Sequence, residues 1–96
     1  MVVGVLRLDL QLFSPQSLKE KRSLVKRLLN RCRERFPVSC AEVGAQDLWQ
    51  RSELGFAVVE HDAVTLQALF EKLEEEILRL GEVEILDRDL ELLHYK

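Results

Sequence analysis

The sequence contains few of the residues that build metal, cofactor and catalytic sites. It has two cysteines, Cys32 and Cys40, and two histidines, His61 and His94. None of them shows the short spacing of a zinc site, and two cysteines are too few to hold an iron–sulfur cluster. The four glycines are too scattered to form a phosphate-binding loop. These absences predict a protein without a metal or cofactor that is not an enzyme.

Long apolar runs are also absent. Segments such as LGFAVV at 54–59 are far shorter than the roughly 20 apolar residues that span a bilayer. The first residues lack a basic leader and meet Arg7 and Asp9 early, which is not typical of a signal peptide. We therefore expect a cytoplasmic protein with no membrane segment, in which Cys32 and Cys40 are reduced, buried and inert.

Proline is scarce, with two residues in 96, and 47% of the residues are hydrophobic. This composition favours one folded domain over residues 1–96, since domains commonly contain roughly 100–150 residues. The charges are uneven: residues 1–59 carry a net charge of +4 and residues 60–96 a net charge of −7. Such a split suits an anionic partner or self-association, although plain solvation also accounts for it. The acidic run EEE at 74–76 is expected to lie on a solvated surface.

Hydrophobic periodicity predicts four strands. Residues 2–13 and 82–93 alternate between apolar and polar positions, which is typical of strands with one buried face. The short segments VSCAEV (38–43) and LGFAVVE (54–60) predict two further strands, the second apolar enough to be central.

Two helices lie between these strands. Residues 17–36 carry a helical apolar stripe, with Ser17 as the N-cap and Pro37 as the stop signal. A second helix begins at Asp62, its predicted cap, and ends before Gly81. The order strand–helix–strand–strand–helix–strand predicts a ferredoxin-like α+β sandwich, in which a four-stranded antiparallel sheet carries both helices on one face.

The first helix concentrates positive charge. Eight of the fourteen Lys and Arg residues lie between residues 19 and 35, opposed only by Glu20 and Glu34. Cations near a helix N-terminus are disfavoured by the helix dipole, and a bound anion would reverse that cost. We therefore hypothesise an anion or RNA site whose contacts are Lys19, Lys21, Arg22, Lys26 and, from the hairpin, Arg51.

Two other interpretations of this helix are open at this point. The cations could form a solvated helix face, or a carboxylate of the hairpin could pair with them inside the molecule. Lys21 separates these interpretations, because its helical direction lies within the apolar stripe. Its internal partner would be Glu42, Asp47 or Glu53.

The connection between the second and third strands contains QDLWQR at 46–51, with the single tryptophan of the chain. A large aromatic in a loop is either tucked under the hairpin or offered to a partner. We expect Leu48 and Trp49 to be tucked in, closing one end of the sandwich. An exposed Trp49 would instead stack on a base or fill a partner's pocket, and the contact residues would be Asp47, Trp49 and Gln50.

The face of the sheet away from the helices is predicted to be uncovered. The first strand offers Val3, Val5, Arg7 and Asp9 there, without the aromatic residues on which RNA-recognition domains stack bases. The apolar Val3 and Val5 favour a second interpretation, in which this face binds a protein partner or a second copy in a homodimer.

Three segments of the chain resemble a known family: SLKEKRSLVKRLLNR (17–31), VSCAEVGAQDLWQRSELGFAVV (38–59) and EVEILDRDLEL (82–92). They are similar to the YlxP-like family of small bacterial proteins, a domain of unknown function (503). The resemblance covers essentially the whole chain and implies a ferredoxin-like fold with no catalytic residues to carry over. Genes of the family commonly lie near those for translation and ribosome-maturation factors, so the resemblance also implies RNA or a ribosomal particle as the partner.

Overall fold

The computed structural model describes residues 1–96 and contains six elements in the predicted order. They are β1 (Val2–Leu12), α1 (Leu18–Arg35), β2 (Ser39–Gly44), β3 (Arg51–Glu60), α2 (Ala63–Arg79) and β4 (Val83–His94). The strands form one antiparallel sheet in the order β2-β3-β1-β4. The predicted ferredoxin-like α+β fold is therefore confirmed. Neither helix is long and apolar enough to cross a membrane.

The alternation of β1 determines which face of the sheet meets the helices. Its even-numbered residues from Leu6 to Leu12 are completely buried, and they join α1 and α2 in a single hydrophobic cluster. Gly4 lies under α2, where an added Cβ would collide with Leu66, so glycine lets the helix approach the sheet. The odd-numbered residues of β1 and β3 point the other way and form the uncovered side, which we call the open face.

Local signals set the ends of both helices, as predicted. Ser17 Oγ accepts a hydrogen bond from the Glu20 amide at 3.1 Å, and Asp62 accepts one from the Thr65 amide at 2.7 Å. Gly81 follows α2 with a φ of 74°, a left-handed conformation that glycine adopts without a steric cost.

Contrary to the expectation, the acidic run at 74–76 is not wholly solvated: Glu76 is buried and Glu74 is partly buried. Glu76 is buried against α1, where its carboxylate lies 3.3 Å from the guanidinium of Arg35 and 3.8 Å from that of Arg31. Glu74 accepts two hydrogen bonds from an arginine of β4. Long arginine side chains on neighbouring elements reach these carboxylates, and helical periodicity alone does not reveal such contacts.

Candidate functional site

Lys21 lies inside the protein rather than on its surface. Its side chain is completely buried, and its ammonium nitrogen lies 2.7 Å from Glu42 Oε2. The same nitrogen donates hydrogen bonds to the carbonyl oxygens of Ala45 at 2.8 Å and Gln46 at 3.2 Å. The three donors of the ammonium are thus used internally, so the prediction that Lys21 contacts an external anion is wrong.

Ser52 completes this arrangement, which we name the loop anchor (Lys21, Glu42 and Ser52). The buried Ser52 hydroxyl donates to Glu42 Oε2 at 2.6 Å. The anchor fixes the start of the hairpin loop that joins β2 to β3. There Ala45 has a φ of 56°, which non-glycine residues seldom adopt. Glu42 is the partner of Lys21 because it lies on the helix side of the sheet, whereas Glu53 lies on the open face.

Most other cations of α1 also have internal partners. These contacts are Arg27 with Glu82, Arg31 and Arg35 with Glu76, and Arg33 with the Cys40 carbonyl oxygen. Ion pairs and hydrogen bonds within the protein therefore involve many of the cations that the sequence concentrates in α1.

Lys19, Arg22 and Lys26 are exposed, and they form no internal ion pair or hydrogen bond through their side chains. At 100° per residue they lie within about 60° of arc on one side of α1, and we name them the basic stripe. Arg33 shares this helical direction and reaches Cys40 of β2, so the stripe lies on the side of α1 next to that edge strand. The structure thus brings together three of the five predicted anion contacts.

The hairpin loop, residues 45–50, presents two large apolar side chains to solvent. Leu48 and Trp49 are 53% and 52% exposed, so the expectation that they are tucked under the hairpin is wrong. Pro15 and the Lys21 side chain are buried beside the loop instead, and the Gln50 side chain ties the loop to Pro15.

The other predicted loop contacts differ in how freely they can bind a partner. Asp47 is exposed and its carboxylate accepts no hydrogen bond, whereas the Gln50 side-chain amide donates to the Pro15 carbonyl oxygen at 3.2 Å. Arg51 pairs with Asp9 at 2.8 Å and keeps 42% of its side chain exposed. Its charge is matched internally, which makes Arg51 a weaker anion ligand than the basic stripe.

Phe13 adds an exposed aromatic that is not among the predicted contacts. It is 55% exposed and lies just beyond β1, where its amide donates to the Glu82 carbonyl oxygen at 3.1 Å. The alternation of β1 carries the signal for it, because residue 13 has the parity of the open face rather than that of the buried leucines.

The two cysteines are free and buried, as expected. Burial raises the pKa of the Cys32 thiol to about 12, and burial also raises the pKa of Cys40. Thiolates are the nucleophilic and metal-binding form, so neither cysteine is poised for such chemistry. No group of three His, Cys, Asp or Glu residues is placed to hold a metal ion.

The open face has a charged half and an apolar half. In the charged half, Arg7 bridges Glu53 at 2.9 Å and Asp87 at 3.3 Å. The apolar half consists of Val3, Val5, Ala57 and Val59, which pair across β1 and β3. Val59 is 63% exposed, so this part of the sheet is uncovered, as predicted.

Comparison with known proteins shows which family the chain belongs to. Residues 3–90 match the family described as "Protein of unknown function (DUF503)". The chain is 40% identical over 63 residues to a Bacillus subtilis (strain 168) protein called "Uncharacterized protein YlxP", covering 66% of this chain and 68% of that one.

Two solved structures share the fold at low sequence identity. A de novo designed protein, Foldit4, is 19% identical with a TM-score of 0.55, and all of both chains is covered. An antibiotic biosynthesis monooxygenase is 14% identical with a TM-score of 0.50, covering 100% of this chain and 99% of that one. These likenesses show the fold alone, whereas the match over residues 3–90 shows that the chain belongs to the DUF503 family.

Proposed function

We propose that this protein is a non-enzymatic binding module that contacts RNA through the basic stripe and the hairpin loop. The observation that carries the proposal is the absence of internal partners for Lys19, Arg22 and Lys26. Contacts between such cations and phosphate groups dominate the affinity of most proteins for nucleic acids.

Lys21 ties the start of α1, which also carries Lys19 and Arg22 of the basic stripe, to the hairpin loop. Lys21 lies between Lys19 and Arg22 in the first turns of α1, and it bonds directly to the loop backbone at Ala45 and Gln46. We therefore propose that an RNA bound by the stripe also reaches the exposed loop. It would also offset the unfavourable placement of Lys19 and Arg22 near the positive end of the helix dipole.

The test measures binding of the full chain to a labelled, structured RNA at salt concentrations between about 50 and 200 mM. Three phosphate contacts would make log K fall with log[salt] with a slope of about −2 to −3. Lys19→Glu, Arg22→Glu and Lys26→Glu should each weaken binding and make the slope shallower by about 1.

Lys72→Glu is the matched control, because Lys72 is an exposed lysine on α2, away from the stripe and the loop. It should bind RNA as the wild type does. Binding that is undetectable, or that does not change with salt, would refute the proposal. Equal weakening by Lys72→Glu would show that net charge, rather than the basic stripe, controls binding.

A second candidate function is self-association or protein binding through the apolar half of the open face. The exposure of Val5 and Val59 favours it, because apolar side chains grouped on one uncovered face lose unfavourable contact with water when a partner covers them. This surface lies on the opposite side of the sheet from α1, so it does not compete with the basic stripe.

A further inference from the structure

Phe13 and Trp49 lie at the same end of the sheet, although 36 positions separate them in the sequence. The β1–β3 register pairs Gln11 with Arg51, and the Leu12 amide continues it by donating to the Gln50 carbonyl oxygen at 2.9 Å. Continued by one residue beyond the ends of β1 and β3, this register would set Phe13 opposite Trp49. Both residues lie just outside β1 and β3, and more than half of each side chain is exposed.

Hydrogen bonds hold the backbone in several places at the end of the sheet where Phe13 and Trp49 lie. The Phe13 amide bonds to Glu82, the Gln50 side chain bonds to Pro15, and the loop anchor fixes residues 45 and 46. Two aromatic side chains are thus presented by a fixed backbone rather than by a free tail. Ordering them on binding costs less than ordering a disordered segment would.

Positive charge lies at the start of α1, which Lys21 ties to the loop that carries Trp49. Lys19 and Arg22 flank Lys21, whose ammonium contacts the loop that carries Trp49. Cations beside exposed aromatic faces are the combination that binds single-stranded nucleic acid, because bases stack on the rings while phosphates contact the cations. Asp47, exposed in the same loop, can accept a hydrogen bond from the amino group of a base.

We infer that Phe13 and Trp49 form a stacking platform for unpaired bases, so that the RNA bound by this protein is single-stranded or contains a loop. The inference rests on the proposed function and specifies its substrate class. In a duplex the base faces are stacked on one another and cannot reach side chains, whereas bases in single strands and loops can. The platform lies at the end of the sheet, so it needs no aromatic residue on the central strands.

The experiment compares two probes at one salt concentration: a labelled single-stranded oligoribonucleotide and the same oligoribonucleotide annealed to its complement. The wild type should bind the single strand more tightly. Phe13→Ala and Trp49→Ala should each weaken binding to the single strand about tenfold, and neither should change binding to the duplex. Trp49 is the single tryptophan, so quenching of intrinsic fluorescence by the single strand reports stacking directly.

Three further variants separate stacking from other effects. Trp49→Phe should restore most of the affinity, because it keeps an aromatic face. Leu78→Ala removes an apolar side chain of similar exposure on α2, away from the hairpin loop, and should leave both affinities unchanged. Arg22→Glu should weaken binding to both probes, because its contact is with phosphate.

Each of the remaining outcomes has a distinct meaning. Equal affinity for the two probes, unchanged by Phe13→Ala and Trp49→Ala, would overturn the stacking platform and leave the proposed RNA binding intact. No binding to either probe would overturn the proposed function and this inference together. Tryptophan fluorescence that responds only to a protein partner would assign the aromatic pair to protein recognition instead.

Discussion

Lys21 shows how a single residue can change the interpretation of a charged helix. A buried ammonium is costly unless its donors are satisfied, and here a carboxylate and two backbone carbonyl oxygens satisfy them. The cation that seemed most out of place on the helix is therefore part of the core. Its bonds position the start of the hairpin loop.

The loop anchor should contribute strongly to stability, and its members should be coupled. Lys21→Met leaves Glu42 without its cation, and Glu42→Gln leaves Lys21 without its anion. We expect each single variant to lower the free energy of unfolding by about 3–5 kcal/mol, as removal of one partner of a buried ion pair does. The double variant should lose less than the sum of the two. Urea unfolding of the wild type and the three variants measures this coupling.

Lys26→Met is the matched control for this measurement, because Lys26 is exposed and has no internal partner. It should change the free energy of unfolding by no more than about 0.5 kcal/mol. Strictly additive losses for Lys21→Met and Glu42→Gln would contradict the coupled anchor.

At the scale of elements, the cap of α2 makes the stability depend on pH. Hydrogen bonds from Thr65, first from its amide and then from its hydroxyl, hold the pKa of Asp62 below its ordinary value. The folded state therefore binds a proton at Asp62 less readily than the unfolded state does. The stabilisation is complete above the unfolded pKa, roughly 3.9, and is lost as the pH falls through the lower folded pKa.

Asp62→Asn tests this linkage, because asparagine is also a good N-cap but does not titrate. We expect the stability advantage of the wild type over Asp62→Asn to be largest near neutral pH and to shrink below about pH 4. Unfolding curves of both proteins between neutral pH and about pH 3 measure the difference. An advantage that stays constant across this range would show that the Asp62 charge does not contribute to the cap.

Elements specified by local signals were predicted well. Ser17, Asp62 and Gly81 mark helix ends through hydrogen bonds and backbone conformations that involve residues close in sequence. The leucines of β1 identify the buried face in the same way. The apolar segment that predicts the third strand begins at residue 54, with an extension into the preceding connection left open; β3 begins at Arg51, where it pairs with Gln11 of β1.

The candidate site was predicted only in part, because contacts between elements far apart in the sequence determine it. Helical direction placed Lys21 toward the core, yet only the fold selects Glu42 as its partner. The exposure of Trp49 depends on the core end being closed by other residues, which no local pattern encodes. Contacts between elements distant in sequence therefore determine the two points that the sequence leaves open, namely the partner of Lys21 and the exposure of Trp49.

At the scale of the whole molecule, the two free edges of the sheet differ in charge. The β2 edge lies beside the basic stripe. The β4 edge carries the exposed acidic residues Glu84, Asp87, Asp89 and Glu91, and its pairing with β1 is interrupted by a bulge. These charges and the bulge protect β4 from pairing with other chains. If the protein binds RNA as proposed, the same charges would repel the RNA backbone, and the field of the molecule would favour approach from the β2 side.

The open face leads to the last prediction, which tests the second candidate function. If two copies bury the apolar half against each other, the protein should form a dimer whose population rises with concentration. Val59→Lys places a charge at the most exposed valine of that half and should shift the equilibrium to monomer. Its affinity for RNA should not change, because the basic stripe lies on the other side of the sheet. Sedimentation analysis over a wide concentration range distinguishes monomer from dimer. Val64→Lys, at an exposed position on α2, is the control and should not change the equilibrium. A wild type that stays monomeric at every concentration would exclude self-association through this face.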